Sequence, residues 1–274
     1  MRIIIFILLR KGFYFFNKYY FNFFSSLKKN YVSNNKKRDF IKSYKNRIIK
    51  YKLEFPKIYK NLNLKIFKRI SIYTGFTLPE PGGDFNFGAL LHYILKNYLK
   101  DKKEEINILE IGTARGFSSL CMSLALNDYE YPSKIITFDV ISNDSKIFQK
   151  TFLSNEKVSR KQILDKLPEN LIKKIIFFQG DSLSDLKKIF IKNINFCYLD
   201  GEHNRKYLEN ELNFVKIFQK VGDIIVLDDY DQNKFPEVYD TVNDFIKNEC
   251  YEIILTDLNH IHKIAVLKKM NNKS

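Results

Sequence analysis

Ile108-Leu-Glu-Ile-Gly-Thr-Ala-Arg-Gly116 is the stretch on which the reading of the fold turns. A short apolar run, Ile106 to Ile111, carries one acid, Glu110, and then breaks into a turn bounded by Gly112 and Gly116. An apolar segment with helical spacing, Phe117 to Leu126, follows at once. Strand, glycine turn and helix together make the opening half-unit of an open α/β sheet, where nucleotide-like ligands bind beyond the strand ends. Glycines in such a turn let backbone approach a ligand with no Cβ in the way.

The spacing separates two ligand classes. A dinucleotide fold wants G-x-G-x-x-G, which seats a pyrophosphate on a helix N-terminus. Here the glycines are spaced G-x-x-x-G, with Glu110 two residues before the first. A carboxylate there repels phosphate and suits a cation. S-adenosylmethionine carries a sulfonium and an ammonium and no phosphate, so it fits the pattern, although Gly-bounded turns also occur in ordinary β–α junctions.

Outward from this turn the chain alternates. Apolar, β-rich runs fall at 106–111, 134–139, 174–179, 194–199, 223–228, 251–256 and 263–268. Helical stretches are expected at 117–127, 145–166, 183–190, 205–219 and 235–248, and a lead-in helix at about 89–99. The last two runs are separated only by Asp257-Leu-Asn-His-Ile-His262, short enough for a hairpin. The pattern predicts an α/β protein with a seven-stranded, mostly parallel sheet and one antiparallel strand. A turn-rich segment, Thr77 to Gly88, marks the boundary between an N-terminal extension (1–76) and a linker with lead-in helix (77–104). The main domain then occupies 105–274.

Ligands of open α/β sheets bind beyond the carboxyl ends of the strands, and acids sit there five times. They are Glu110; Asp139; Asp181, beside Ser182; Asp200, followed by Glu202 and His203; and Asp228 with Asp229. Any one acid has a plainer reading as the cap of the following helix. Five in succession are hard to assign to capping alone.

With these residues in view, 105–269 resembles a class I S-adenosylmethionine-dependent methyltransferase. The segments Tyr198-Leu-Asp-Gly-Glu-His203 and Ile225-Val-Leu-Asp-Asp-Tyr230 are similar to the metal-dependent O-methyltransferase branch, both its catechol O-methyltransferase-like and its macrolide- and sugar-tailoring members. The resemblance implies a Rossmann-like fold. It places Gly112 and Gly116 around the methionine part of the cofactor, with Glu110, Thr113 and Ser118 nearby. It gives Asp139 the ribose hydroxyls and sets Asp181 and Ser182 against the adenine. Asp200, Asp228 and Asp229 would hold a divalent metal, most simply Mg²⁺, since three carboxylates suit a hard cation. His203 matches a proposed general base, and Glu202 an acid given that role in other members. The chain departs from the pattern in having Asp-Asp where Asp-Asn is frequent, and Lys206 before Tyr207 where a Tyr is frequent. The implied activity is methylation of a hydroxyl on a small molecule or glycan. A metal-independent methyltransferase and a cephalosporin-hydroxylase-like oxidative relative are the alternatives on the same fold.

Charge separates the extension from the rest. Residues 1–70 hold 19 Lys and Arg against Asp39 and Glu54, a net +17, whereas the other 204 residues hold 27 basic and 29 acidic groups, a net −2. The apolar run Ile3 to Leu9 is far shorter than the roughly 20 residues of a spanning helix. Three readings of the arm follow: a docking helix on the main domain, a peripheral contact with anionic membrane, or a nucleic-acid arm. The last ranks lowest, because no RNA-binding pattern is present. A non-catalytic binding module using this arm is the reading furthest from an enzyme. Cys121, Cys197 and Cys250 form no C-x-x-C pair, which argues against a disulfide framework or zinc site and for a reducing cytoplasm. A homo-oligomer is compatible with the composition.

Overall fold

Ile106–Ile111 is buried along its whole length, as expected for a central strand covered by helices on both faces. The computed structural model describes Ile66, Phe67, Ile70, Ser71, Thr74 and residues 85–148, 156–257 and 263–271. Residues 1–65 of the basic arm and 258–262 of the expected hairpin link lie outside these residues.

The elements follow one another as α1 (Phe85–Leu99), β1 (Ile106–Ile111), α2 (Phe117–Leu126), β2 (Ser133–Asp139), α3 (Arg160–Leu164), α4 (Glu169–Ile172), β3 (Ile175–Gln179), α5 (Ser182–Asp185), β4 (Phe196–Leu199), α6 (Arg205–Phe218), β5 (Ile224–Leu227), α7 (Pro236–Asn248), β6 (Tyr251–Asp257) and β7 (Ile264–Lys269). They build one seven-stranded sheet of order β3-β2-β1-β4-β5-β7-β6. Neighbours from β3 to β5 pair in parallel, and β7 runs antiparallel to both β5 and β6. The expected architecture, with its one reversed strand, is what the chain forms. Chain order reverses on either side of β1, so β1 and β4 flank the switch point at which open α/β sheets open a crevice.

Aliphatic side chains of β1, β2, β4 and β5 form one core with Leu208, Leu212 and Val215 of α6 and Val238, Val242 and Phe245 of α7. On the other face α1 packs on α2. Gly88 permits that close approach, since a Cβ there would lie 2.5 Å from Phe117 Cζ and 2.6 Å from Cys121 Sγ. Helix α1 accordingly starts four residues earlier than expected, inside the turn-rich segment. Within the extension, Phe67 is buried, and its ring meets that of His92 edge-on at 5.1 Å.

The expected helix 145–166 is not formed over its described residues. Residues 142–148 are turns ending in an isolated bridge between Phe148 and Val158, and of the described residues in the span only Arg160–Leu164 is helical. Its start is fixed by a capping box: Ser159 Oγ accepts from the Gln162 amide, and the Gln162 side chain accepts from the Ser159 amide. The Lys-rich composition favours helix locally, whereas Arg160 is buried and bonded to Asp139 and to the carbonyls of Ala114 and Ile141. The expected helix 183–190 is also shorter, with α5 running into one 3₁₀ turn at Leu186–Lys188. Among the described residues no helix is long and apolar enough to cross a membrane.

Candidate functional site

A cavity of about 370 Å³ opens at the carboxyl ends of β1 to β4, within the range of small-molecule sites. Gly112, Asp139, Asp181, Ser182, Asp200 and Glu202 line it, with Phe138 and Ile141 as apolar wall and Tyr207 closing one side. Glu110, Thr113, Gly116 and Ser118 do not reach the wall. They build the turn from behind.

That turn explains the acid in the first strand. Glu110 is 0% exposed, and the hydroxyls of Ser118 and Ser119, in the first turn of α2, donate to its two oxygens. Burial raises its pKa, and those hydroxyl bonds oppose the rise. Gly112 leaves β1 at φ +96°, and a Cβ there would fall 1.8 Å from the Asp200 carbonyl oxygen. Its glycine identity is therefore required by the crossing of the β1 and β4 exits. Gly116, at φ +88°, caps α2 in the left-handed region, where an added Cβ would touch only Leu164 Cδ2, at 3.5 Å. Thr113 Oγ1 is 2.5 Å from Thr137 Oγ1 and buttresses the turn against β2.

Asp139, at the end of β2, is engaged on both oxygens. Its Oδ1 accepts from the Ile141 amide at 2.8 Å. Its Oδ2 accepts from the Ala114 amide at 2.6 Å and from Arg160 Nη2 at 2.8 Å. Arg160 is 1% exposed and also donates to the carbonyls of Ala114 and Ile141 and to Asn143 Oδ1. Burial lowers its pKa against the pull of Asp139 and Glu110, yet a guanidinium remains charged. The pair ties the Gly112–Gly116 turn to β2 and to the loop after it. Asp139 thus faces the cavity with much of its acceptor capacity already engaged, and Arg160 is a site residue that sequence reading missed. The Ser159-x-x-Gln162 box signals the helix start, but nothing in the local sequence reports the burial of Arg160.

Past β3, Asp181 caps α5 by accepting from the Leu183 amide at 2.8 Å, and its other oxygen accepts from the Tyr207 hydroxyl at 2.9 Å. Ser182 Oγ donates to Glu211 Oε1 at 2.5 Å. Glu211, on α6, was also missed.

The second group of acids lies where β4 and β5 end. Asp200, His203 and Asp229 have one donor atom each within 4.8 Å of one another. His203 Nε2 is 3.0 Å from Asp229 Oδ2 and 3.6 Å from Asp200 Oδ1. Asp228, expected beside Asp229 as a ligand, turns instead toward the strands: its Oδ2 accepts from the Tyr198 hydroxyl at 3.1 Å, and its Oδ1 accepts from the Asp229 amide at 2.9 Å. The same Tyr198 hydroxyl lies 3.2 Å from Asp200 Oδ2. Asp229 occupies φ +54°, a left-handed conformation uncommon for a non-glycine residue and typical of functional turns. Loss of water raises the Asp200 pKa, with Asp228 and Asp229 adding repulsion. Hydrogen bonds to Asp200 and Asp229 raise that of His203 to about 10. Glu202 lies on the cavity wall, between the two groups of acids.

Residues 109–230, which span this rim, match a family model described as a methyltransferase domain. No curated protein matches the chain in sequence. Among solved structures, the chain is similar to the O-methyltransferase TomG of Streptomyces achromogenes, in complex with S-adenosylmethionine, at 14% identity and TM-score 0.52, over 77% of this chain and 92% of that one. It is likewise similar to an O-methyltransferase of Bacillus cereus bound to S-adenosylhomocysteine, at 14% identity and TM-score 0.51, over 77% and 95% of the two chains. A third similar structure is the S-adenosylhomocysteine-bound methyltransferase PaMTH1 of Podospora anserina, at 11% identity and TM-score 0.53, over 88% and 98%. The sheet has the class I methyltransferase fold, and residues 109–230 within it are similar to the methyltransferase-domain model.

Proposed function

We propose that this chain transfers the methyl group of S-adenosylmethionine to a hydroxyl oxygen of a small molecule or glycan, with a divalent cation, Mg²⁺ by preference, between its two sites. The observation that carries the reading is the contiguity of a 370 Å³ cavity with the Asp200–His203–Asp229 cluster, which share Asp200. The cavity offers the donor a hydroxyl acceptor at Asp139, an acceptor-rich end at Asp181 and Ser182, and apolar contact with Phe138 and Ile141.

The donor set fits a hard cation. Asp200 and Asp229 would hold it by carboxylate oxygens, with Asp228 behind them and the Tyr198 hydroxyl fixing Asp200 and Asp228 in place. When bound, such a cation lowers the pKa of an acceptor hydroxyl and offsets the negative charge of the cluster. The chain's own groups do the rest. With a cation neutralising Asp200 and Asp229, the His203 pKa would fall from about 10 and its Nε2 would be free to take the acceptor's proton; Glu202, on the cavity wall, is the second candidate. The sulfur–methyl bond breaks as the oxygen–methyl bond forms, leaving S-adenosylhomocysteine, the methyl ether and a proton on the base.

A second reading keeps the donor and drops the cation. It is favoured by the 3.0 Å contact of His203 with Asp229, which already pairs the cluster's charge when the ring is protonated. Transfer of labelled methyl from S-adenosylmethionine into pooled phenolic, nucleotide-sugar and glycolipid acceptors, with and without EDTA, separates the two. Loss of transfer with EDTA and its return with Mg²⁺ supports the first reading, and transfer indifferent to EDTA supports the second.

A further inference from the structure

Glu211 is a carboxyl group 1% exposed in the middle of α6, and the mechanism above does not use it. Its Oε1 accepts from Ser182 Oγ at 2.5 Å. Around this contact α6 grips the end of β3 with three side chains on one face: Tyr207 donates to Asp181, Asn210 Nδ2 donates to the Ser182 carbonyl at 3.0 Å, and Glu211 accepts from the Ser182 hydroxyl. A serine hydroxyl has one hydrogen and two lone pairs. With its hydrogen directed into Glu211, Ser182 can show the cavity only lone pairs. Asp181 beside it accepts on both oxygens, from the Leu183 amide and the Tyr207 hydroxyl. This end of the cavity is therefore a wall of acceptors, held in that polarity from behind.

We propose that Glu211 is a positioning residue that sets the base specificity of the site by fixing the polarity of Ser182. The wall then takes a nucleoside whose edge presents an amino group and rejects one that presents a carbonyl oxygen at the same place. The proposal rests on the reading that the cavity takes the adenosyl donor, and it adds the means by which a 6-amino purine is told from a 6-oxo purine. Glu211 touches no ligand itself: Ser182 lines the cavity and Glu211 does not. Replacing Glu211 by Gln keeps the shape but supplies an amide N–H toward Ser182. The serine can then accept from behind and turn its own hydrogen toward the cavity.

The test is calorimetric titration of the full chain with S-adenosylhomocysteine and with its deaminated analogue, S-inosylhomocysteine, in mildly alkaline buffer. The unmutated chain is expected to prefer the amino form by about tenfold to a hundredfold, the size of one mismatched buried hydrogen-bonding group. In Glu211→Gln the ratio of the two affinities should shrink at least about fivefold, whatever happens to either affinity alone. Ser182→Ala, which removes the fixed lone pairs, should shrink it as well. A general loosening of the site would weaken both ligands together and leave the ratio where it was. A ratio in Glu211→Gln equal to that of the unmutated chain, with S-adenosylhomocysteine still binding, would overturn the proposal. Failure of S-adenosylhomocysteine to bind the unmutated chain is a separate result, and it would remove the methyl-donor reading beneath.

Discussion

The β1–β2–β3 half of the rim and the β4–β5 half are built from the same side chain and solve opposite problems. In the first half the carboxylates are met by donors from the chain itself: Glu110 by two serines, Asp139 by Arg160 and two amides, Asp181 by Tyr207 and an amide. In the second half Asp200 and Asp229 face each other across His203, and among the described residues neither is paired with a Lys or Arg. A buried carboxylate with its partners in place is rigid and organises a neutral pocket. In the second half desolvation raises the pKa of Asp200, with repulsion from Asp228 and Asp229 adding to it, and hydrogen bonds to Asp200 and Asp229 raise that of His203. The first half is suited to an organic ligand and the second to a small cation, and the two meet where Gly112 crosses Asp200.

The comparison is broken most decisively by mutating the second half. Asp229→Ala is expected to lower methyl transfer by about a thousandfold, on the order of 4 kcal/mol of transition-state stabilisation. It should also abolish Mn²⁺ binding measured by electron paramagnetic resonance, while S-adenosylhomocysteine binding changes by less than about threefold. Equal loss of both ligands would show that the halves are not separable.

Arg160→Met strikes the first half. It leaves the Asp139 carboxylate buried without its cation, so a loss of about 3 to 4 kcal/mol in urea denaturation is expected. The exposed pair of Lys96 with Asp128 is the control, and its removal should stay below about 1 kcal/mol.

The junction comes next. Gly112→Ala places a methyl against the Asp200 carbonyl at φ +96° and should destabilise by about 3 kcal/mol, visible as a lowered Tm. Gly116→Ala shares the strained φ but meets only an ordinary contact with Leu164 Cδ2, so about 1 kcal/mol is expected. Similar losses at the two glycines would contradict the assignment of Gly112 to a backbone crossing.

Between these two in size is a pH effect. Burial raises the Glu211 pKa from 4.5 to about 7. A carboxyl group whose folded pKa lies above its unfolded value contributes stability that is fully present below 4.5 and lost as pH rises through about 7. Denaturation curves of the unmutated chain should therefore lose up to about 3 kcal/mol across that window relative to Glu211→Gln. Parallel curves would mean that Glu211 is ionised throughout.

The sheet and its rim were legible because their signals are local. A buried parallel strand must be an apolar run, a tight strand exit must be glycine, and the acids sit where such strands stop. Arg160 and Glu211 were illegible for the converse reason. A charged residue inside a stretch such as Ser159-Arg-Lys-Gln162 or Tyr207-Leu-Glu-Asn-Glu211 reads as solvated helix surface until tertiary structure supplies Asp139 or Ser182. Helix 145–166 failed on the same ground over its described residues, since its composition favours helix while the bonds of Arg160 to Asp139 and to the Ala114 carbonyl are long-range. At Asp139 and Asp228 the residues stand at the strand ends where they were expected, but their partners, Arg160 and Tyr198, could not be read from spacing.

Titration of S-adenosylhomocysteine into the full chain, alone and with saturating Mg²⁺, is the most direct measurement of whether the rim holds two adjoining sites. The account predicts saturable one-to-one binding that is abolished when Gly112 is replaced by a bulky residue and retained in Asp229→Ala. No saturable heat from the folded, unmutated chain would contradict it.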